Sequence, residues 1–180
     1  MYGKQKVERT VTDKKQKTPA RTTAQENAES GFTATVELTD ALQRVLVHFI
    51  DLQLVGKQAH WNIVGPNFRD LHKNLDEIVN IAREGSDEIA ERMRALHATP
   101  DGLAGTLAKY STIDQPETGE ILTTHAVDTI VSALETVVGV MREVHDTVDE
   151  ADATSADILH EYIAQLEQQA WFISAETRKP

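Results

Sequence analysis

Residues 57–92 read KQAHWNIVGPNFRDLHKNLDEIVNIAREGSDEIAER, and the rhythm of this stretch decides the fold. Upstream of it, Leu38, Leu42, Val45, Phe49 and Leu52 recur every three or four residues, the spacing of one buried helix face, and the stripe runs on to about His60–Asn62. Gly65-Pro66 interrupts it. Asn67 then stands where an N-cap is wanted, with Asp70 in the first turn of a second helix. That helix carries Phe68, Leu71, Leu75, Ile78, Ala82, Ile89, Met93 and Leu96 on one face and ends at Thr99-Pro100-Asp101-Gly102.

The rest of the chain repeats the pattern twice. Residues 97–117 are rich in Gly, Pro, Asp, Ser and Thr, with one short helical turn expected near Leu107–Tyr110. A third stripe follows through Val127, Ile130, Leu134, Val137, Met141, Val144 and Val148. Glu150 to Thr154 breaks it, and Thr154 with Asp157 three residues on resembles a capping box with Asp in place of Glu. Ile158, Tyr162, Leu166, Ala170 and Ile173 form the fourth stripe. No alternating run predicts a strand. Helices of about 25 to 30 residues give a bundle roughly 40 Å long at 1.5 Å per residue. The first and third connections are short and join antiparallel neighbours. The middle one, about 20 residues, is long enough to travel the whole bundle. The expectation is an all-α, ferritin-like four-helix bundle with a long crossover between helices 2 and 3.

Composition narrows the chemistry. The chain has 180 residues and no cysteine, which excludes disulfides, Cys-ligated zinc, iron–sulfur clusters and thiol catalysis. No stretch approaches the roughly 20 apolar residues of a membrane span, and the polar N-terminus lacks the apolar core of a secretory leader. A cysteine-free chain of this kind is compatible with the cytoplasm. Formal net charge is −11, yet Lys4, Lys6, Arg9, Lys14, Lys15, Lys17 and Arg21 face only Glu8 and Asp13 in the first 23 residues. The chain therefore divides into a basic arm over 1–33, read as disordered from its polar composition, and a helical domain over 34–180. Such an arm neutralises phosphates without reading sequence, or serves as a solubilising tail or an assembly element.

The second helix carries the residues with chemistry. His72/Asp76 and Asp87/Glu91 are i,i+4 pairs, and the eleven residues from 76 to 87 make nearly three turns, so both pairs share a side. His60 precedes them at the end of helix 1. Two imidazoles and three carboxylates form a nitrogen and oxygen ligand set suited to iron. The centres of the two pairs stand 15 residues apart, about 22 Å along the helix, so one metal cannot bridge them. Two readings stand. The pairs are unrelated surface charges, or a second copy crosses antiparallel on a two-fold axis and His60, His72 and Asp76 of one subunit meet Asp87 and Glu91 of the other, at two equal sites. Gly85-Ser86 supplies small residues for a close helix approach. A single-chain di-iron bundle would need two Glu-x-x-His motifs, and the nearest match, Asp157-x-x-His160, occurs once.

These residues resemble the Dps family of mini-ferritins. Lys57-Gln58-Ala59-His60-Trp61-Asn62, with Gly65-Pro66-Asn67-Phe68 and Leu71-His72, is similar to the family's first ferroxidase segment. Asp76 through Asp87-Glu88-Ile89-Ala90-Glu91-Arg92 is similar to its second, and Leu166 to Phe172 to its last helix. The likeness covers roughly 33–178 and departs in the arm. It implies a hollow homododecamer built on two-fold dimers, with two iron sites per dimer interface. There Fe(II) is oxidised to Fe(III), preferably by hydrogen peroxide, and the ferric oxide is stored inside. Carried over, His60, His72 and Asp76 are ligands from one subunit and Glu91 from its partner, with Asp87 a ligand or a group beside it. The resemblance also implies a nucleoid-associated protein that binds DNA non-specifically, for which the arm is the candidate contact.

Three further assignments follow from the same reading. Asp146, Asp149, Glu150, Asp152 and Asp157 cluster around the last helix junction, where the family has an acidic three-fold pore, although such a run is also what a solvated cap looks like. Trp61 and Trp171 are either redox buffers beside the iron or core aromatics. His48 reads as a packed histidine, and His97, His125, His145 and His160 as scattered surface or cap residues. Two other functions stand beside this one, and the first uses the same metal site. A paired metal centre with open positions can hydrolyse an amide or ester, and a nucleoid-compacting protein would need little iron chemistry.

Overall fold

The longest apolar stripes become the longest helices. In the computed structural model, which describes residues 31–175, α1 spans Val36–Asn62, α2 Phe68–Ala95, α3 Ala104–Tyr110, α4 Thr123–Ala151 and α5 Ala153–Ala175. All five residues quoted for the first stripe are buried, as are all seven of the third. The second stripe holds except at Phe68, which is 44 % exposed and lies over the His72 ring instead of entering the core. α1 packs against α2 and α4, and α5 against α4 and α2, so the four long helices enclose one shared core.

Direction is fixed by the ends. Ile63–Val64 (β1), just past α1, pairs in parallel with Ile121–Leu122 (β2), just before α4. α4 therefore begins where α1 ends and runs back antiparallel to it, and the crossover must climb the full length of α1. Its contacts record the climb. Asp101 exchanges two hydrogen bonds with the Gln43 side chain, 2.7 and 2.8 Å. Higher up, Thr112 meets His48 at 2.9 Å, and Ser111 and Gln115 both donate to the buried Asp51 carboxylate. Ile121 finally reaches Ile63. His48 is thus the packed histidine expected, 2 % exposed, with its Nδ1 donating to the Arg44 carbonyl at 2.7 Å. The short helical turn foreseen in this segment is α3.

The local signals differ from expectation at three points. The two-residue strands left no trace in the sequence, because a pair that short has no alternation to detect. Asn67 occupies the N-cap of α2 but adopts the left-handed region (φ 57°) and makes no side-chain cap bond; its carbonyl accepts from Asp70 and Leu71 instead. The break expected over Glu150–Thr154 is a single residue, Asp152. Its extended backbone ends α4, and its carboxylate accepts from the Ser155 amide (3.2 Å), so it caps α5 in place of the Thr154/Asp157 box. Arg92 of α2 reaches the same carboxylate at 2.7 Å and the Ser155 hydroxyl at 3.1 Å.

A glycine sets the spacing of α1 and α2. A Cβ on Gly85 would lie 2.8 Å from the Phe49 ring, so only glycine lets that ring seat. Phe49 then meets Tyr162 of α5 edge-on, centroids 5.2 Å apart, while the Tyr162 hydroxyl donates to Glu88 at 2.8 Å. The small residue noted in the sequence serves a close approach within the chain.

Candidate metal centre

His60 closes α1 and His72 lies in the second turn of α2, and the tight β1 connection folds one onto the other. The rings stack with centroids 3.7 Å apart and planes 25° from parallel. Each Nδ1 faces the other residue's backbone carbonyl: His60 Nδ1 lies 3.0 Å from the His72 oxygen, and His72 Nδ1 lies 3.1 Å from the His60 oxygen. A carbonyl can only accept, so both Nδ1 atoms carry hydrogen. Both Nε2 atoms then keep a lone pair, the form in which imidazole ligates a metal. The reciprocal bonds thus set tautomer and ring orientation before any ion arrives.

Asp76, one turn beyond His72, completes the group. One ligand atom from each of His60, His72 and Asp76 lies within 4.8 Å of the others. Asp76 Oδ1 stands 3.3 Å from His60 Nδ1 and 2.6 Å from the Lys57 ammonium. That ammonium, hydrogen-bonded to it, holds the Asp76 carboxyl below its usual range, helped by the neighbouring histidines and opposed by partial burial. Lys57, quoted above for its family likeness but given no role, is the group that does most to lower this carboxyl. The charge it brings marks a position where positive charge is already favourable. His60 is 8 % exposed while Asp76 is about half open, so the group has one buried ring and one face toward solvent.

Asp87 and Glu91 are exposed, and among the described residues neither side chain makes a hydrogen bond or ion pair within the chain. They stand further along α2, so one chain assembles the two histidines and Asp76 but not the five-residue set. Trp61 and Trp171 are 69 % and 60 % exposed in the chain, which removes the core-aromatic reading; Trp171 lies against Phe172, centroids 5.0 Å apart. Asp146, Asp149, Glu150 and Asp157 are exposed at the α4–α5 junction, while Asp152 is held inward by Arg92 and Ser155. Burial pushes the Asp152 carboxyl up, and the Ser155 and Arg92 contacts together outweigh it, leaving the group below its ordinary value. The basic residues Lys4 to Arg21 lie outside the described residues.

Two histidines read as scattered are in fact paired. His145 of α4 and His160 of α5 bring their Nε2 atoms to 2.7 Å. The spacing becomes readable once Asp152 is known to be the turn, since the two stand seven and eight residues either side of it, about two helical turns each way.

The ferritin-like domain family matches residues 39–179. The DNA protection during starvation protein of Mycolicibacterium smegmatis is 33 % identical over 143 residues, which covers 77 % of this chain and 76 % of that protein. The solved structure of Mycobacterium smegmatis Dps in a tetragonal form superposes with a TM-score of 0.76 at 29 % identity, over 83 % of this chain and 96 % of that one. Dps from Microbacterium arborescens in its high iron form gives 0.73 at 31 % identity, over 81 % and 98 %.

Proposed function

The chain belongs to the ferritin-like family, among its DNA protection during starvation (Dps) proteins, and from that premise we propose that it oxidises Fe(II) with hydrogen peroxide at intersubunit sites and stores the ferric product. Iron storage and DNA protection are the general roles of this family. The observation that carries the finer reading is the reciprocal pair of Nδ1–carbonyl bonds, which leaves two imidazole lone pairs beside an ionised carboxylate. The relative from Microbacterium arborescens, described in a high iron form, supports iron as the substrate.

His60 and His72 hold the incoming Fe(II) by nitrogen, and Asp76 supplies the charge that favours Fe(III) over Fe(II). Lys57 shifts from Asp76 as the cation takes its place. Asp87 and Glu91 of a second copy complete the site across a two-fold axis, the arrangement by which groups about 22 Å apart along α2 can share one site. Two Fe(II) ions give one electron each to hydrogen peroxide, which takes up two protons and leaves as two waters, so no hydroxyl radical is released. Trp61, exposed beside His60, is positioned to intercept a stray one-electron oxidant; Trp171 is the second candidate. The shell is a hollow homododecamer with the ferric oxide inside. Asp146, Asp149, Glu150 and Asp157 attract Fe(II) at its pores, and Asp152 holds the helix junction. The basic arm binds DNA phosphates without sequence preference, and twelve arms on one particle act together. The protein works in the cytoplasm, on the nucleoid.

The deciding measurement is anaerobic oxidation of Fe(II) by hydrogen peroxide. Rapid oxidation with soluble, protein-bound ferric product is expected, and its loss in Glu91→Ala would place the second half of the site on a partner. Oxidation no faster than in buffer, with ferric precipitate, would refute the reading. Deleting residues 1–23 should abolish DNA retardation and spare the iron chemistry; undiminished retardation would remove the arm from the DNA role.

A further inference from the structure

We propose that His145 and His160 form a second cation site, for a divalent first-row metal ion, in the cleft between α4 and α5. The site is independent of the His60, His72 and Asp76 group and does not rest on the iron reading.

The geometry has four parts. First, the two Nε2 atoms point at one another at 2.7 Å, with ring centroids 4.7 Å apart and planes 32° from parallel. Second, the opposite edge of each ring faces a carboxylate. Asp146 Oδ1 lies 3.1 Å from His145 Nδ1, and Asp157 Oδ1 lies 3.8 Å from His160 Nδ1. Carboxylates on Nδ1 with Nε2 directed at a common point are the arrangement that orients metal-ligating histidines. Third, the rings line a surface cleft of about 410 Å³, shared with Ile163 and Ala164 and open to solvent, so a hydrated ion can reach them. Fourth, Arg142, the fixed cation that lines the same cleft, is paired with Glu167 at 2.5 Å, which offsets its charge.

Donor and acceptor placement points the same way. The Asp146 bond calls for hydrogen on His145 Nδ1, which leaves His145 Nε2 as an acceptor. His160 must then donate from Nε2, and in a neutral ring its Nδ1 lone pair is left facing the Asp157 carboxylate. A cation between the two Nε2 atoms removes this conflict, since both rings then carry hydrogen on Nδ1, toward the acids. At Zn–N distances of about 2.0–2.1 Å and tetrahedral angles, the two nitrogens stand about 3.3 Å apart, so the rings need open by only about 0.6 Å. Water fills the remaining positions. Two imidazoles favour the nitrogen-preferring ions, with Cu(II) and Zn(II) held more tightly than Fe(II).

The test uses the full chain, stripped of metal, in a His72→Ala/Asp76→Ala background that disables the first group. Zn(II) is titrated by calorimetry, and Cu(II) is added at one equivalent for electron paramagnetic resonance. The background protein should bind one Zn(II) per chain through this site. His145→Ala and His160→Ala should each, alone, weaken that binding by about tenfold or more, as loss of a ligand requires. The Cu(II) spectrum should show hyperfine structure from two nitrogens, lost in either variant. Affinity and spectrum unchanged in both variants would overturn the site, as would loss in only one of them. Circular dichroism verifies the fold, and His145→Gln with His160→Gln replaces any alanine variant that fails that check. Asp146→Asn should weaken Zn(II) less than either histidine change, and an effect as large as theirs would make Asp146 itself the ligand and refute the two-imidazole arrangement.

Discussion

Two helix hairpins in this chain each carry a pair of facing histidines, and they hold them differently. In α1–α2, His60 and His72 anchor their Nδ1 atoms on each other's backbone and lie beside Asp76 and Lys57. In α4–α5, His145 anchors its Nδ1 on the exposed Asp146, His160 Nδ1 stands 3.8 Å from the exposed Asp157, and the two Nε2 atoms meet one another. Backbone carbonyls are fixed by the helix and cannot swing away, so the first pair is preorganised. Side-chain carboxylates move, so the second pair is adjustable. A preorganised pair suits turnover, where geometry must already be present when substrate arrives. An adjustable pair suits reversible occupancy.

The sharpest way to break this comparison is kinetic. His60→Ala or His72→Ala should reduce peroxide-driven Fe(II) oxidation by about 100-fold or more, at least the cost of losing a group that orients a ligand. His145→Ala and His160→Ala should leave that rate near wild type. Equal losses from both pairs, followed by stopped-flow absorbance of the ferric product, would mean that the two hairpins serve one reaction.

The next contrast concerns how each hairpin is locked. Gly85→Ala forces a methyl group into the buried Phe49 ring at 2.8 Å. Overpacking of that kind costs about 1–3 kcal/mol, and the better helix propensity of alanine returns about 1, so a net loss of up to about 2 kcal/mol is expected from denaturant unfolding. Asp152→Ala removes the α5 cap and the Arg92 partner together, for a comparable loss of about 1–2 kcal/mol. No change in either variant would detach the lock from the hairpin it was assigned to.

The smallest effect is the dependence on pH. The Asp152 carboxyl sits below its unfolded value, so its contribution is complete above the unfolded carboxylate pKa and fades as pH falls through the lowered folded value. Asp152→Asn should therefore flatten the acid limb of stability and leave the slope at neutral pH unchanged. An unaltered acid limb would assign that limb to other carboxylates.

Much of this was legible in the sequence. Leu42, Phe49, Leu75 and Leu134 announced their helices because a buried face must repeat at 3.6 residues. The crossover followed from one long connection among short ones. His60, His72 and Asp76 were legible as a group because a short turn leaves them nowhere else to go. What stayed hidden depended on single residues and long-range partners. The Ile63–Ile121 pairing joins segments 58 residues apart through two hydrogen-bonded rungs, too few to leave a pattern. The one-residue turn at Asp152 was masked by helix-compatible neighbours on both sides. The His145–His160 pair was invisible until that turn was placed, because its register is counted from it.

That turn also decides where this chain can grow. A helix advances 100° per residue, so one residue inserted at Asp152 would either swing every buried contact of α5, from Ser155 to Ile173, off its face or have to be looped out of a junction with no slack. The crossover between α2 and α4 has slack, and lengthening a loop costs little. Length variants of this fold should therefore differ along the crossover and agree at the last turn.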